Sequence, residues 1–155
     1  MTRENDTAVT QSSKDGGGKC APCESLNKST LLSLKQVQDE ISSKLQLWHI
    51  VSTKETEISP GETIKSVNKI SRKFTAKNFQ CALNAVNDMG KIAEREGHHP
   101  DFHITSYRDV EIVILTHKVG GVTKNDLILA NIFDEECNFI YSPKWLKNNP
   151  KALKE

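Results

Sequence analysis

KNFQCALNAVNDMGKIAERE, residues 77–96, followed by GHHPDFHITSYRDVEIVILTH, residues 97–117, is the stretch on which the architecture turns. In its first part Phe79, Ala82, Leu83, Val86, Met89, Ile92 and Ala93 recur at intervals that place them on one helix face, with charges opposite. Gly97 suits the residue just past a helix end, where a left-handed backbone is needed. In the second part Phe102–Tyr107 and Val110–His117 read as two extended runs joined across Arg108-Asp109. Val110, Ile112, Ile114 and Thr116 share one face of the second run; Glu111, Val113, Leu115 and His117 share the other. A helix leading into two strands on a short connection predicts an antiparallel pair with the helix laid across it.

Working outward toward the amino terminus, Leu47–Ser52, around Trp48, reads as a strand. Ser59-Pro60-Gly61 is a turn, and Thr63–Phe74 is a second extended stretch. Leu31, Leu34, Val37, Ile41 and Leu45 form an earlier helical stripe. Toward the carboxyl terminus Gly120-Gly121 interrupts, and Thr123-Lys-Asn-Asp126 matches a capping box opening a helix to about Glu136. The order helix, two strands, long helix, two strands, helix predicts an α+β fold: a four-stranded antiparallel sheet with about three helices packed on one face.

Residues 1–28 differ from this pattern. Three consecutive glycines, many Ser and Thr and almost no large aliphatic residues cannot offset chain entropy, so a disordered arm is expected, dispensable for folding and turnover. It carries no apolar signal-peptide core, and Glu4 and Asp6 argue against a transit peptide, which makes the cytoplasm the default with nuclear entry open. Residues 29–142 form the expected domain. Residues 143–155, basic and with Pro143 and Pro150, are expected to fray.

Bulk composition narrows the function classes. With 155 residues, 36% hydrophobic content and 21 basic against 20 acidic side chains, the chain lacks the charge excess of a nucleic-acid or membrane-surface binder. Its longest purely aliphatic run, Ile112–Leu115, is far too short to span a bilayer. Four scattered cysteines do not make a disulfide scaffold and fit a reducing compartment.

Histidine placement is where chemistry concentrates. Of five histidines, His98, His99, His103 and His117 lie within one short segment. Imidazoles exchange protons near neutral pH, Pro100 stiffens the His-His loop, and Glu94 in the last helical turn can reach back to it. Purely structural readings stand beside these: Asp126 at the third helical position favours the helix dipole, Trp48 suits a core, and Phe102 suits half-buried strand packing. A competing chemistry is zinc, because Cys20-Ala-Pro-Cys23 has C-x-x-C spacing. No second C-x-x-C or H-E-x-x-H completes it, Gly16–Gly18 lacks the continuation of a phosphate loop, and no Gly-x-Ser-x-Gly elbow is present.

The set Glu94-x-x-x-His98-His99-Pro100, Tyr107, Val110, Thr116-His117, Gly121-Val122-Thr123 and Asp126 resembles the pterin-4a-carbinolamine dehydratase family, over roughly Leu31 to Asp134. Trp48, Phe74 and Phe79 stand where the family carries aromatics, and Lys19-Cys20-x-Pro-Cys23-Glu24 is similar to the amino-terminal extension of its plant-like and protist members. The resemblance implies an α+β fold, a homodimer or homotetramer, and dehydration of 4a-hydroxytetrahydrobiopterin to quinonoid dihydrobiopterin and water, downstream of an aromatic amino-acid hydroxylase. It implies no metal and no organic cofactor. By the same resemblance His98, His99 and His117 are the catalytic histidines, with Glu94, Pro100, Phe102, Thr116 and Asp126 around the substrate. The chain departs from the pattern at Gly97, at Phe102 where Trp is common, and in one extra residue between Pro100 and Tyr107 relative to animal members. Some animal relatives act as dimerisation cofactors of a transcription factor, so binding without catalysis is the alternative.

Overall fold

Asn78 accepts the Cys81 N–H at 2.8 Å and so starts the long helix at Phe79, two residues after the start of the 77–96 stretch that reads as helical. The computed structural model describes residues 20–22 and 26–153. In chain order it contains α1 (Leu34–Ser43), β1 (Trp48–Ser59), β2 (Glu62–Thr75), α2 (Phe79–Glu96), β3 (Asp101–Thr105), β4 (Asp109–Ile114), α3 (Lys124–Glu136) and α4 (Pro143–Asn148). The four strands form one antiparallel sheet in the order β1-β2-β4-β3.

The first hairpin is longer than expected. Strand β1 continues from Ser52 to Ser59 because its polar half pairs residue by residue with β2, as in Thr53↔Val67 and Thr56↔Ile64. Alternating Thr and charged residues suit a strand with one solvated face. In the second hairpin the turn lies at Ser106 and Tyr107 (φ 45° and 57°), not across Arg108-Asp109. Thr75 Oγ1 binds Asp109 at 2.7 Å and the Arg108 carbonyl accepts the Ala76 N–H at 2.8 Å, which holds that left-handed pair in place.

The inner face of the sheet is Ile70, Phe74, Val110, Ile112 and Ile114, and the helices close over it with Val37, Met89, Ile92, Leu129 and Phe133. Helix α2 buries Ala82, Ala85, Met89, Ile92 and Ala93. Phe79, expected in that stripe, is 50% exposed. At about 100° per residue, Phe79, Leu83 and Val86 fall on one flank of the buried arc, so the apolar face of α2 is wider than the core it meets. Helix α1 is shorter than its stripe: a Ser33/Gln36 capping box opens it, and Leu31 and Leu45 are buried outside its ends.

Two terminal segments depart from expectation. Cys20–Pro22, within the arm expected to be disordered, is described and docks on α3; the remainder through Lys19, and Cys23 to Ser25, lie outside the described residues. The segment expected to fray is α4 followed by a 3-10 turn at Pro150–Ala152. Phe139 and Tyr141 lie 5.0 and 5.5 Å from Phe74, and Trp145 stacks on Tyr141 at 4.7 Å, so aromatic packing fixes the chain beyond Ser142. Among the described residues no helix is long and apolar enough to cross a membrane.

Candidate active site

Helix α2 ends in a Schellman motif. Gly97 takes φ 63°, its N–H donates to Glu94 O at 3.3 Å, and the His98 N–H donates back to Ala93 O at 3.1 Å. This reversal turns His98 into the protein, where it is 4% exposed, while His99 stays exposed. Adjacent imidazoles thus occupy opposite environments. His99 Nε2 lies 3.2 Å from Glu94 Oε1, and both side chains face solvent, so the pair orients the ring and adds little stability.

His98 Nε2 lies 2.6 Å from Asp126 Oδ1, and Asp126 is fully buried. The other carboxylate oxygen, Oδ2, accepts from Thr116 Oγ1 at 2.8 Å and from the Thr123 N–H at 2.7 Å. Thr116 and Thr123 hydroxyls also meet at 3.0 Å. A buried carboxylate is tolerated when donors surround it, and an ionised one only accepts, so the proton of this bond belongs to His98 Nε2. That selects one tautomer of His98. Asp126 thus closes the capping box of α3, as its spacing predicts, and with its other oxygen meets His98 rather than facing open space.

His117 opens a 3-10 turn, His117–Val119, rather than ending a strand, because β4 stops at Ile114 and Thr116 makes only an isolated bridge with Gly121. The loop between them is pinned at its base: the Thr116 N–H donates to Gly121 O at 2.9 Å, and the Val122 N–H donates to Val67 O at 2.9 Å. Gly121 sits so close to β2 that a Cβ would lie 2.7 Å from Leu31 Cδ2 and 2.9 Å from Val67 O. His117 is exposed, and its ring makes no hydrogen bond among the described residues. Thr116, expected against substrate, is 1% exposed and spends its hydroxyl on Asp126 and Thr123. Phe102 is half-buried with its ring 6.4 Å from Phe133, and Pro100 is half-buried beside it in the chain. His103 lies on β3 opposite Glu111, away from this set by register, and His49 lies on the edge strand β1.

Sequence reasoning missed a second polar cluster. Arg72, 1% exposed, donates through Nη1 to Asp134 Oδ1 at 2.7 Å and through Nη2 to the Tyr141 hydroxyl, with Phe139 beneath its guanidinium at 4.5 Å. The Trp48 indole N–H donates to Asp134 at 3.0 Å. Arg72, Asp134 and Tyr141 floor a cleft of about 680 Å³ that Lys44, Asn131 and Lys151 also line, and it contains none of the predicted site residues. The mutual pairing marks it as a structural clamp between sheet, α3 and the C-terminal segment. Its one sequence signal was Arg72 at a position whose neighbours Ile70 and Phe74 face the core. No three His, Cys, Asp or Glu side chains converge as a metal site among the described residues; Cys23 lies outside them.

The chain is 32% identical over 117 residues to the Arabidopsis thaliana protein named pterin-4-alpha-carbinolamine dehydratase 2, mitochondrial, an alignment covering 76% of this chain and 56% of that one. It is 33% identical over 118 residues to a protein of Alkaliphilus metalliredigens whose name refers to the same activity, covering 76% and 91%. A Brucella melitensis crystal structure described as a transcriptional coactivator/pterin dehydratase shares the fold, with TM-score 0.53 and 23% identity over 67% of this chain and 95% of that one. The profile of the Pterin 4 alpha carbinolamine dehydratase family matches residues 30–136, which takes in every element from α1 to α3, and on that match the chain belongs to the pterin-4-alpha-carbinolamine dehydratase family.

Proposed function

We propose that this protein dehydrates a 4a-hydroxytetrahydropterin to the quinonoid dihydropterin and water by histidine acid–base catalysis. The observation that carries the reading is the buried His98–Asp126 pair at 2.6 Å, with two exposed imidazoles, His99 and His117, on the chain between them. The reaction breaks the C4a–O bond as the hydroxyl leaves protonated, while the neighbouring ring nitrogen loses its proton and its electron pair forms the new double bond. One group must give a proton and another take one, and imidazoles near neutral pH serve both roles. His99, oriented by Glu94, and His117, on the pinned 116–121 loop, are the proton-handling groups; His98 binds with a fixed tautomer. Thr116 and Asp126 act behind it as positioning residues. Homo-oligomeric assembly and supply of the substrate by a tetrahydropterin-dependent hydroxylation belong to the same proposal.

The test is dehydration by the purified chain, read above the uncatalysed background. His99→Ala and His117→Ala are each expected to lower the rate by about 10²–10⁴-fold, the range for loss of a general acid or base. His49→Ala and His103→Ala should leave it nearly unchanged. Full turnover in folded His99→Ala and His117→Ala proteins would refute the mechanism and favour the non-catalytic, partner-binding alternative.

A further inference from the structure

The arm segment Cys20–Pro22 crosses the junction at which the His98–Asp126 pair is assembled. Asn125, 3% exposed, spends its whole side-chain amide on one arm residue: Oδ1 accepts the Ala21 N–H at 2.8 Å, and Nδ2 donates to Ala21 O at 2.8 Å. The preceding residue is tied on both sides, its N–H to Glu96 Oε2 at 3.4 Å and its thiol to Asn125 O at 3.6 Å. Glu96 ends α2 two residues before His98, and Asn125 lies in the first turn of α3 immediately before Asp126. The segment therefore bonds to both chain ends that bring His98 and Asp126 together, from a place remote in sequence.

We infer that Cys20–Pro22 is a strap, and Asn125 its anchor, that positions the His98–Asp126 pair for turnover. The inference rests on the dehydratase reading above and makes Asn125 a positioning residue that acts through Asp126. A buried amide with both its polar atoms matched to one backbone unit has a single satisfied orientation. Because Asp126 is the next residue, loosening Asn125 frees the first turn of α3 that carries the carboxylate. The strap thus gives part of the arm a role, against the expectation that the whole arm is dispensable.

The experiment compares the full-length chain with Asn125→Ala, with Ala21→Pro, which removes the strap N–H and sets a ring in its place, and with the double variant. Lys124→Ala, an exposed neighbour, is the control and should behave as the parent. Readouts are kcat and KM for 4a-hydroxytetrahydropterin dehydration, and the proton resonance of the imidazole N–H held by Asp126. Each strap variant is expected to lower kcat by up to about 100-fold, the loss that an ångström of misplacement can bring. KM should hold, since ground-state binding is not the interaction removed. The imidazole resonance should broaden or disappear, and the double variant should be no worse than the worse single one. An active parent with unchanged kcat and unchanged resonance in both single variants overturns the strap and leaves the dehydratase reading standing. A parent with no dehydratase activity overturns that reading instead, and the resonance alone then decides the strap: unchanged refutes it, lost supports it. If Asn125→Ala does not fold, Ala21→Pro, on an exposed residue, settles the question by the same readouts.

Discussion

Asp126 shows how one side chain answers two demands. Oδ2 caps α3 and accepts from Thr116, while Oδ1 holds the imidazole of His98. In Asp126→Asn one of these positions would be a donor facing a donor. The expected cost is about 1–3 kcal/mol for the buried group left unsatisfied. Thermal unfolding should record that loss, and kcat should fall with it; a lower melting temperature with intact turnover would reduce Asp126 to a cap. Thr116→Val keeps the shape but removes one donor, so it should cost about 1 kcal/mol and less activity than Asp126→Asn. The capping spacing from Thr123 to Asp126 was legible in the chain. The partnership of Thr116 with Asp126 was not, because the irregular loop and turn between them carry no period.

Two glycines hold the connections that aim the histidines, for different physical reasons. Gly97 has open space where a Cβ would stand but needs φ 63°, so its requirement is conformational. Gly97→Ala should cost about 1–2 kcal/mol of left-handed strain. Asn tolerates that region, so Gly97→Asn should recover much of the loss. Gly121 has no such φ but would press a Cβ onto Leu31 and the Val67 carbonyl. Gly121→Ala should cost about 1–3 kcal/mol by overpacking, and Asn should be worse there. Melting temperatures of the four variants check the contrast: rescue by Asn at 97 and none at 121. Both glycines were visible in sequence as punctuation, yet only the neighbour distances separate a turn requirement from a packing one.

Over the whole molecule, the sheet, α3 and the C-terminal segment are locked by Arg72, Asp134, Tyr141 and Trp48. Burial raises the Tyr141 pKa, with the charge of Arg72 opposing it. A folded-state value above the unfolded one gives stability that is complete below the unfolded value, about pH 10, and is lost as pH rises through the folded value. Tyr141→Phe should therefore lower the melting temperature at pH 8, where Arg72 loses an acceptor, yet flatten the decline above about pH 10. A decline of equal slope in both proteins would remove Tyr141 from the alkaline transition. By itself the amino-acid sequence determined the element order from α1 to α3, the antiparallel α+β class, the α3 cap and the stop at Gly97, because short-range periodicity and spacing encode all of these. Tertiary structure decided which of two adjacent histidines turns inward, where Thr116 spends its hydroxyl, that the polar half of β1 is strand, and that Cys20–Pro22 and residues 143–153 are held. Each of those depends on partners far away along the chain, Asp126 for His98, β2 for β1, Asn125 for Ala21 and Phe74 for Tyr141, and no local pattern carries information about a contact that exists only once the chain has closed on itself.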